Sequence, residues 1–334
     1  MAEEEAVPLK RHNRKELLLL HEWAELVLPY LTPSELANVS MTCTTLRQLS
    51  HSITLRRSED ASRTFENFPV PFLNTVDPYP YAHFLYTPSL LLPSPLLSRQ
   101  PWGASSVISP SAPIQLRAES VSLVHASGCD CESCAGSDCP CLALDEQDDV
   151  GRECGPGCRC GLKCGNRLTR NGVAVRVKIV RDKRKGWGLC ADQFIRKGEF
   201  VFEYAGELLT TKEAQRRHQY YDELALQGRF SSALLVVREH LPSGKACLRL
   251  NIDATRIGNV ARFVNHSCDG GNLSTKLVRS SGALFPRLCF YASKDIQEDE
   301  ELTFSYGEIR KRPNGLPCFC NSPSCFGTLP SEDT

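Results

Sequence analysis

Residues 129–141, Cys-Asp-Cys-Glu-Ser-Cys-Ala-Gly-Ser-Asp-Cys-Pro-Cys, and residues 154–164, Cys-Gly-Pro-Gly-Cys-Arg-Cys-Gly-Leu-Lys-Cys, read CxCxxCx4CxC and Cx3CxCx3C. The nine thiols are Cys129, Cys131, Cys134, Cys139, Cys141, Cys154, Cys158, Cys160 and Cys164. Zinc takes four thiolates in a tetrahedron, so separate mononuclear sites would strand one of the nine. Three zinc ions fit if three thiolates bridge, because bridging sulfurs counted twice bring every metal to four ligands. No histidine falls into these spacings, so the cluster is all-sulfur. The alternative is a disulfide knot. Against it stand the odd total of 17 cysteines and the N-terminus, MAEEEAVPLKRHNRKELLLLHEW, which opens acidic and whose leucine run is cut by His21 and Glu22. That is not the pattern of a secretory signal, so a reducing compartment is expected, where thiols persist.

A second group lies near the C-terminus, Cys318-x-Cys320-x4-Cys325. Three thiolates leave a zinc one ligand short. Cys43, Cys190, Cys247, Cys268 and Cys289 are the spare thiols, and spacing alone does not choose among them. Three free thiols in a loose tail is the other reading.

Outward from the cysteines the composition is that of a folded, soluble protein. Lys plus Arg and Asp plus Glu are 39 each, giving zero formal charge, which argues against coating nucleic acid by bulk charge. No apolar run reaches the ~18–20 residues that a membrane helix needs, so no membrane span is expected.

After the cysteines the pattern turns to short strands. Val173, Val175, Val177 and Ile179 alternate, as do Ala246, Leu248, Leu250 and Ile252, and residues 199–209, 231–240, 283–292 and 301–306 add further strand candidates. One helix, 211–226, opens on a Thr210-x-x-Glu213 capping box. The class expected is therefore mainly β. Before the cysteines, residues 15–51 read as short helices. Leu17 to Leu20, Trp23, Leu26 and Val27 form an apolar face, and Thr32-Pro33-Ser34-Glu35 is a helix start after which Leu36, Val39, Leu46 and Leu49 face a small core. Residues 66–88 are rich in Pro and aromatics and read as extended. Residues 93–114, with 5 Pro and 6 Ser, read as a disordered insertion.

Gly186-Trp187-Gly188-Leu189-Cys190-Ala191 matches a dinucleotide fingerprint, but the segment after it carries no helical face, so a Rossmann site is rejected. A glycine pair that lets a ligand approach the backbone, or a plain turn, remains. Arg262-Phe263-Val264-Asn265-His266-Ser267-Cys268 is a dense polar cluster, and Tyr306 closes Glu301-Leu302-Thr303-Phe304-Ser305-Tyr306-Gly307. Taken singly, His266 and Tyr306 are as compatible with structural roles as with chemistry.

In their order along the chain, the nine-cysteine block, GWG at 186–188, FEYAGEL at 202–208, RFVNHSC at 262–268, ELTFSYG at 301–307 and CxCx4C at 318–325 resemble the SET-domain histone-lysine methyltransferases of the suppressor-of-variegation class. The likeness spans about 68–328 and is similar to the plant suppressor-of-variegation-related subgroup. It implies a SET fold with a knot-like C-terminal crossing, divided into a helical N-terminal segment (1–65), a pre-SET part (66–170), the SET domain (171–307) and a post-SET tail (308–334). The N-terminal segment resembles an F-box, which would make a ubiquitin-ligase adaptor a possible partner.

The resemblance also implies roles. The nine cysteines would hold three zinc ions, and Cys268 would join Cys318, Cys320 and Cys325 around a fourth. Lys185, Gly186, Trp187, Gly188, Asn265 and His266, with Phe319, would bind S-adenosylmethionine. Tyr306 would be catalytic and Phe304 would line the lysine channel. The substrate implied is a core histone tail, that of histone H3 in particular, in the chromatin of the nucleus.

Three positions depart from the family pattern. Ala233 stands where a tyrosine commonly contacts the substrate amine, Ser305 replaces an aspartate, and the link from Cys268 to Asn272 is one residue longer. The first motivates an alternative, a catalytically weak SET protein acting as a chromatin or adaptor-binding module. Two charge runs were candidates for contacts: Gln297–Glu301 for a basic tail, and the eight cations between Arg167 and Lys185 for DNA phosphates. Solvated surface is the plain alternative for both.

Overall fold

The computed structural model describes residues 12–93, 115–117, 128–134, 139–142, 150–161, 163–226, 230, 232–240, 247–307 and 316–330. Three helices come first: α1 (His12–Val27), α2 (Pro33–Ser40) and α3 (Thr44–Glu59). The Thr32 capping box forms in full, with Pro33 in the first turn. Leu36, Leu49 and Ile53 pack with Ala24 and Leu28, and Val39 and Leu46 close the edge. The apolar face read on α1 does not turn inward, however. Leu19, Leu20, Trp23, Leu26 and Val27 are exposed, Trp23 by 66%. Ala24, with Leu28 just past the helix, packs into the small core, and Glu25 pairs with Arg56 of α3 at 3.0 Å; the neighbouring helices cover one narrow stripe of α1.

The rest is β-rich. Strands β1 (Phe72–Leu73), β6 (Val177–Asp182) and β7 (Gly186–Ala191) form one sheet, β1 parallel to β6 and β6 antiparallel to β7. A larger sheet runs β10 (Leu234–His240), β11 (Cys247–Gly258), β9 (Gly206–Leu209), β3 (Leu91–Pro93) and β4 (Gln115–Arg117), with β2 (Leu85–Tyr86) beside β11. A third runs β5 (Gly151–Glu153), β13 (Leu273–Ser280), β14 (Arg287–Ala292) and β8 (Phe200–Glu203). The insertion expected at 93–114 lies outside the described residues after Pro93; β3 and β4 pair antiparallel on either side of it. The 66–88 lead-in has no helix; it runs through the short strands β1 and β2 with bends at 66–68 and 75–78.

Val173, Val175, Val177 and Ile179 all point inward, as their alternation requires, and join Leu189, Phe202, Ile252, Phe290 and Leu302 in the main core. Helix α4 (Thr211–Leu226) is capped by the Thr210 hydroxyl, which accepts the Glu213 N–H at 3.2 Å. It is tied to the larger sheet through Arg217, which reaches Asp253 at 2.6 Å and Glu207 at 2.7 Å.

The C-terminal crossing brings two distant segments side by side. β12 (Asn265–His266) pairs in parallel with β15 (Thr303–Phe304), and the N–H groups of Ser267 and Asn272 donate to Phe304 and Thr303 carbonyls. The longer link after Cys268 is absorbed by Gly270 and Gly271, both with positive φ. A Cβ on Gly271 would collide with the Thr303 carbonyl, so glycine is required there.

Candidate active site and zinc modules

The crossing places Tyr306 against His266 and Phe304, at ring-centroid distances of 5.2 and 5.0 Å. The Tyr306 hydroxyl donates to the Val264 carbonyl at 2.8 Å, and its N–H donates to His266 Nδ1 at 3.2 Å. With Nδ1 accepting, the His266 proton sits on Nε2, which lies 3.3 Å from Cys268 Sγ. Both ring nitrogens are thus engaged, and burial holds the imidazole below its usual pKa, neutral at neutral pH. What His266 can offer a cofactor is its main chain. Burial also pushes the Tyr306 phenol well above the ordinary tyrosine range. Phe304 packs edge-on against Phe290 at 4.9 Å, which fixes its ring beside Tyr306.

Lys185 to Gly188 enter this neighbourhood from the β6–β7 turn. Asp182 accepts the N–H groups of Arg184 and Lys185, which shapes the turn, and the Arg181 guanidinium lies 5.3 Å over the Trp187 ring. Lys185 Nζ meets Glu301 Oε2 at 2.5 Å, and Asn265 Nδ2 donates to Glu301 Oε1 at 2.8 Å. Phe319 approaches from the tail, with Arg184 stacked 5.4 Å over its ring and bonded to Asn321. Every residue expected to bind a cofactor therefore converges on one region, drawn from three separate segments.

The cysteines converge as well. In the first cluster Sγ pairs lie 3.6 Å apart for Cys129–Cys134, 3.9 Å for Cys129–Cys154, 3.5 Å for Cys134–Cys154 and 3.6 Å for Cys141–Cys158. A zinc tetrahedron with bonds of about 2.3 Å has sulfur–sulfur edges of about 3.8 Å. Cys129 belongs to three overlapping four-sulfur groups, the behaviour expected of a bridging ligand, while Cys131, Cys160 and Cys164 pack against the same cluster. In the second module Cys268, Cys318, Cys320 and Cys325 have their sulfurs within 4.8 Å of one another. Of the five spare thiols, Cys268 is the one brought there; Cys43 and Cys247 are exposed elsewhere and Cys289 is buried in the core.

Three features are not legible in the sequence. Glu301 belongs to the acidic run read as a contact for a basic tail or as solvated surface, yet three of its acids turn to internal partners: Asp299 to Lys178, Glu300 to Asn272, and Glu301 to Lys185 and Asn265. Most of the basic run is likewise engaged. Arg167 is buried against Cys160, Arg170 reaches the Cys154 carbonyl, and Lys178, Arg181, Arg184 and Lys185 all have partners inside the protein, while Arg176 and Lys183 are exposed. Tyr204, quoted only as part of a motif, places its buried hydroxyl 2.7 Å from the Ala233 carbonyl, and burial, with Tyr306 nearby, pushes its phenol above the ordinary tyrosine range. Ser305, by contrast, is exposed and bonds only within its own turn.

A two-segment crossing at the tyrosine, with a cysteine-rich module on either side, defines a SET-domain protein. A family model described as SET domain matches residues 186–307. The chain is 56% identical over 323 residues to the histone-lysine N-methyltransferase SUVR3 of Arabidopsis thaliana, covering 93% of this chain and 91% of that protein. Among solved structures, the methyltransferase domain of human SETMAR aligns with a TM-score of 0.60 at 30% identity, over 81% of this chain and 97% of that one. KRYPTONITE in complex with mCHH DNA, an H3(1–15) peptide and SAH aligns with 0.58 at 27% identity, over 81% of this chain and 53% of that one. The chain belongs to the SET-domain histone-lysine N-methyltransferases of the suppressor-of-variegation class.

Proposed function

We propose that the chain methylates a lysine of a core histone tail, that of histone H3, in the nucleus and on chromatin. The observation that carries this reading is the β12–β15 crossing, which sets Tyr306 between His266 and Phe304 where the Lys185–Gly188 turn and Phe319 arrive. The H3 peptide and SAH in the KRYPTONITE structure support the choice of tail and cofactor. S-adenosylmethionine would supply the methyl group as an electrophilic sulfonium. Only a neutral amine can attack it, so a lysine of pKa about 10.4 must first lose its proton, which a dry channel favours. Phe304 and Phe290 exclude water from that channel. Tyr306, held neutral by burial, orients the amine and stabilises developing charge and does not act as a base. Alignment in the channel supplies most of the rate.

Tyr204 weakens the case for a catalytically silent protein. Its phenol lies at the Ala233 main chain, beside Tyr306, and so offers a hydroxyl to the position where a tyrosine is lacking. The nine pre-SET cysteines would hold three zinc ions and Cys268, Cys318, Cys320 and Cys325 a fourth, all structural. The boundaries 66–170, 171–307 and 308–334 follow these modules. A second role for residues 1–65, docking a protein partner such as a ubiquitin-ligase adaptor, is favoured by one observation, the exposed Leu19, Trp23 and Leu26 of α1.

The test is transfer of labelled methyl from S-adenosylmethionine to recombinant nucleosomes and to each free core histone, with zinc-replete protein and Tyr306→Phe. Label on an H3 lysine that the variant loses is expected. Label on another histone would refute the choice of H3, and no label on any of them would refute the reaction.

A further inference from the structure

We infer that Glu301 is a positioning residue of the cofactor site: its carboxylate fixes the Asn265 amide and the Lys185 ammonium in the orientation in which they meet S-adenosylmethionine. The inference rests on the cofactor reading above and adds to it a residue that touches no reacting atom.

A carboxylate only accepts hydrogen bonds, so the Asn265 NH2 must face Glu301. That NH2 also points to the Trp187 carbonyl at 3.4 Å. Asn265 Oδ1 is thereby turned the other way, without a partner among the described residues and able to accept from a ligand ammonium. Lys185 spends one of its donors on Glu301 and keeps the remainder. The geometry depends on Gly188, since a Cβ there would lie 2.9 Å from both Asn265 Nδ2 and Glu301 Oε1. The side chains of Lys185 and Glu301 are only 17% and 27% exposed, so solvent screens the pair weakly.

The fold does not need this carboxylate. The main chain around Glu301 is already clamped to β7, with Ala191 N–H donating to Glu300 at 3.0 Å and Leu302 N–H to Leu189 at 2.7 Å. Asn272 adds a third tie, donating to the Glu301 carbonyl at 2.9 Å and accepting from Thr303 N–H. What the carboxylate alone contributes is the alignment of two side chains at the cofactor end.

Glu301→Gln tests this. Glutamine cannot accept from both donors with full charge, so equilibrium binding of S-adenosylmethionine and its KM should weaken about tenfold, the loss of one charge-assisted bond. The KM for an H3 peptide should stay within about twofold and the melting temperature should barely move. Combined with Asn265→Ala, the double variant should bind no worse than the weaker single one, because both remove one linkage. Equal weakening for cofactor and peptide, additive losses, or a variant that fails to fold would each overturn the inference. Wild-type protein that does not bind S-adenosylmethionine would sink the cofactor reading itself. Wild-type protein that binds it, beside an indistinguishable Glu301→Gln, would sink the role of Glu301 alone.

Discussion

Replacing Arg287 by methionine should cost the fold about 3–5 kcal/mol, the usual penalty for stripping one partner from a buried ion pair. Arg287 lies on β14 with 2% of its side chain exposed, facing Glu153 (8%) and Glu203 (6%). It donates to Glu153 Oε2 and the Thr169 carbonyl, both at 2.9 Å, and reaches Glu203 at 3.6 Å. Glu153 also accepts the Thr169 N–H and hydroxyl, and Glu203 accepts the Leu90 N–H at 3.0 Å. One guanidinium thus ties the strand after the first cysteine group, the lead-in and two strands of the catalytic sheet. Methionine fills a similar volume, so the penalty is electrostatic: two buried carboxylates lose the guanidinium that faces both. At about 2.1 cal/mol/K per residue, a cooperative unit on the order of 250 residues would lose about 6–10 °C in Tm.

Removing one of the carboxylates as well separates this cause from a packing defect. If the loss comes from uncompensated buried charge, adding Glu153→Gln to the Arg287→Met variant should recover part of it, whereas a cavity or packing fault would be left as it was. Denaturant unfolding followed by fluorescence compares wild type, the single variant and the double variant. A deficit under about 1 kcal/mol, or one that Glu153→Gln does not reduce, would refute the reasoning.

Two further outcomes are expected. Arg167, buried with its guanidinium 3.4 Å from Cys160 Sγ and 2.9 Å from the Cys160 carbonyl, faces a cluster whose nine thiolates would outnumber the positive charge of the three zinc ions proposed for it. Arg167→Met should release zinc to a chelator about 10–100-fold more readily, with spectroscopic loss of structure following the metal; unchanged release would remove Arg167 from the zinc environment. Because burial holds Tyr306 protonated throughout the working range, the alkaline rise in rate should follow the substrate amine, and Tyr306→Phe should lower kcat without moving its midpoint. A midpoint that shifts in the variant would make Tyr306 the titrating base.

The parts of this protein legible in sequence are those with short-range signatures. The cysteine spacings, the Thr32 cap and the alternation of Val173 to Ile179 each need only a few neighbours to be read; the cysteines gather into clusters, and the cap and the alternation stand in the structure as read. Misreadings arose where the deciding partner is far away. Lys185 and Glu301 are 116 residues apart, so neither the basic run nor the acidic run betrays that its members neutralise one another. The α1 face failed for a related reason: periodicity shows which residues share a stripe, not which stripe finds a partner. Tyr204 was quoted in FEYAGEL, but its hydroxyl acquires meaning only when Ala233, 29 residues on, is brought to it.

Several strands of the catalytic region, β1, β2, β12 and β15, are two residues long and cannot persist through their own ladders. Their persistence must come from side-chain links between distant segments, and those links run through the site. Cys268 holds Cys318 at 3.8 Å, faces His266 Nε2 at 3.3 Å, and His266 Nδ1 in turn accepts from Tyr306 at 3.2 Å. The tail cysteines are therefore mechanically continuous with Tyr306 through a single histidine. A metal ion held by them would act on the geometry of the crossing and need not touch the methyl transfer. A strand pair too short to fix a phenol within a fraction of an ångström is held in place from its far side.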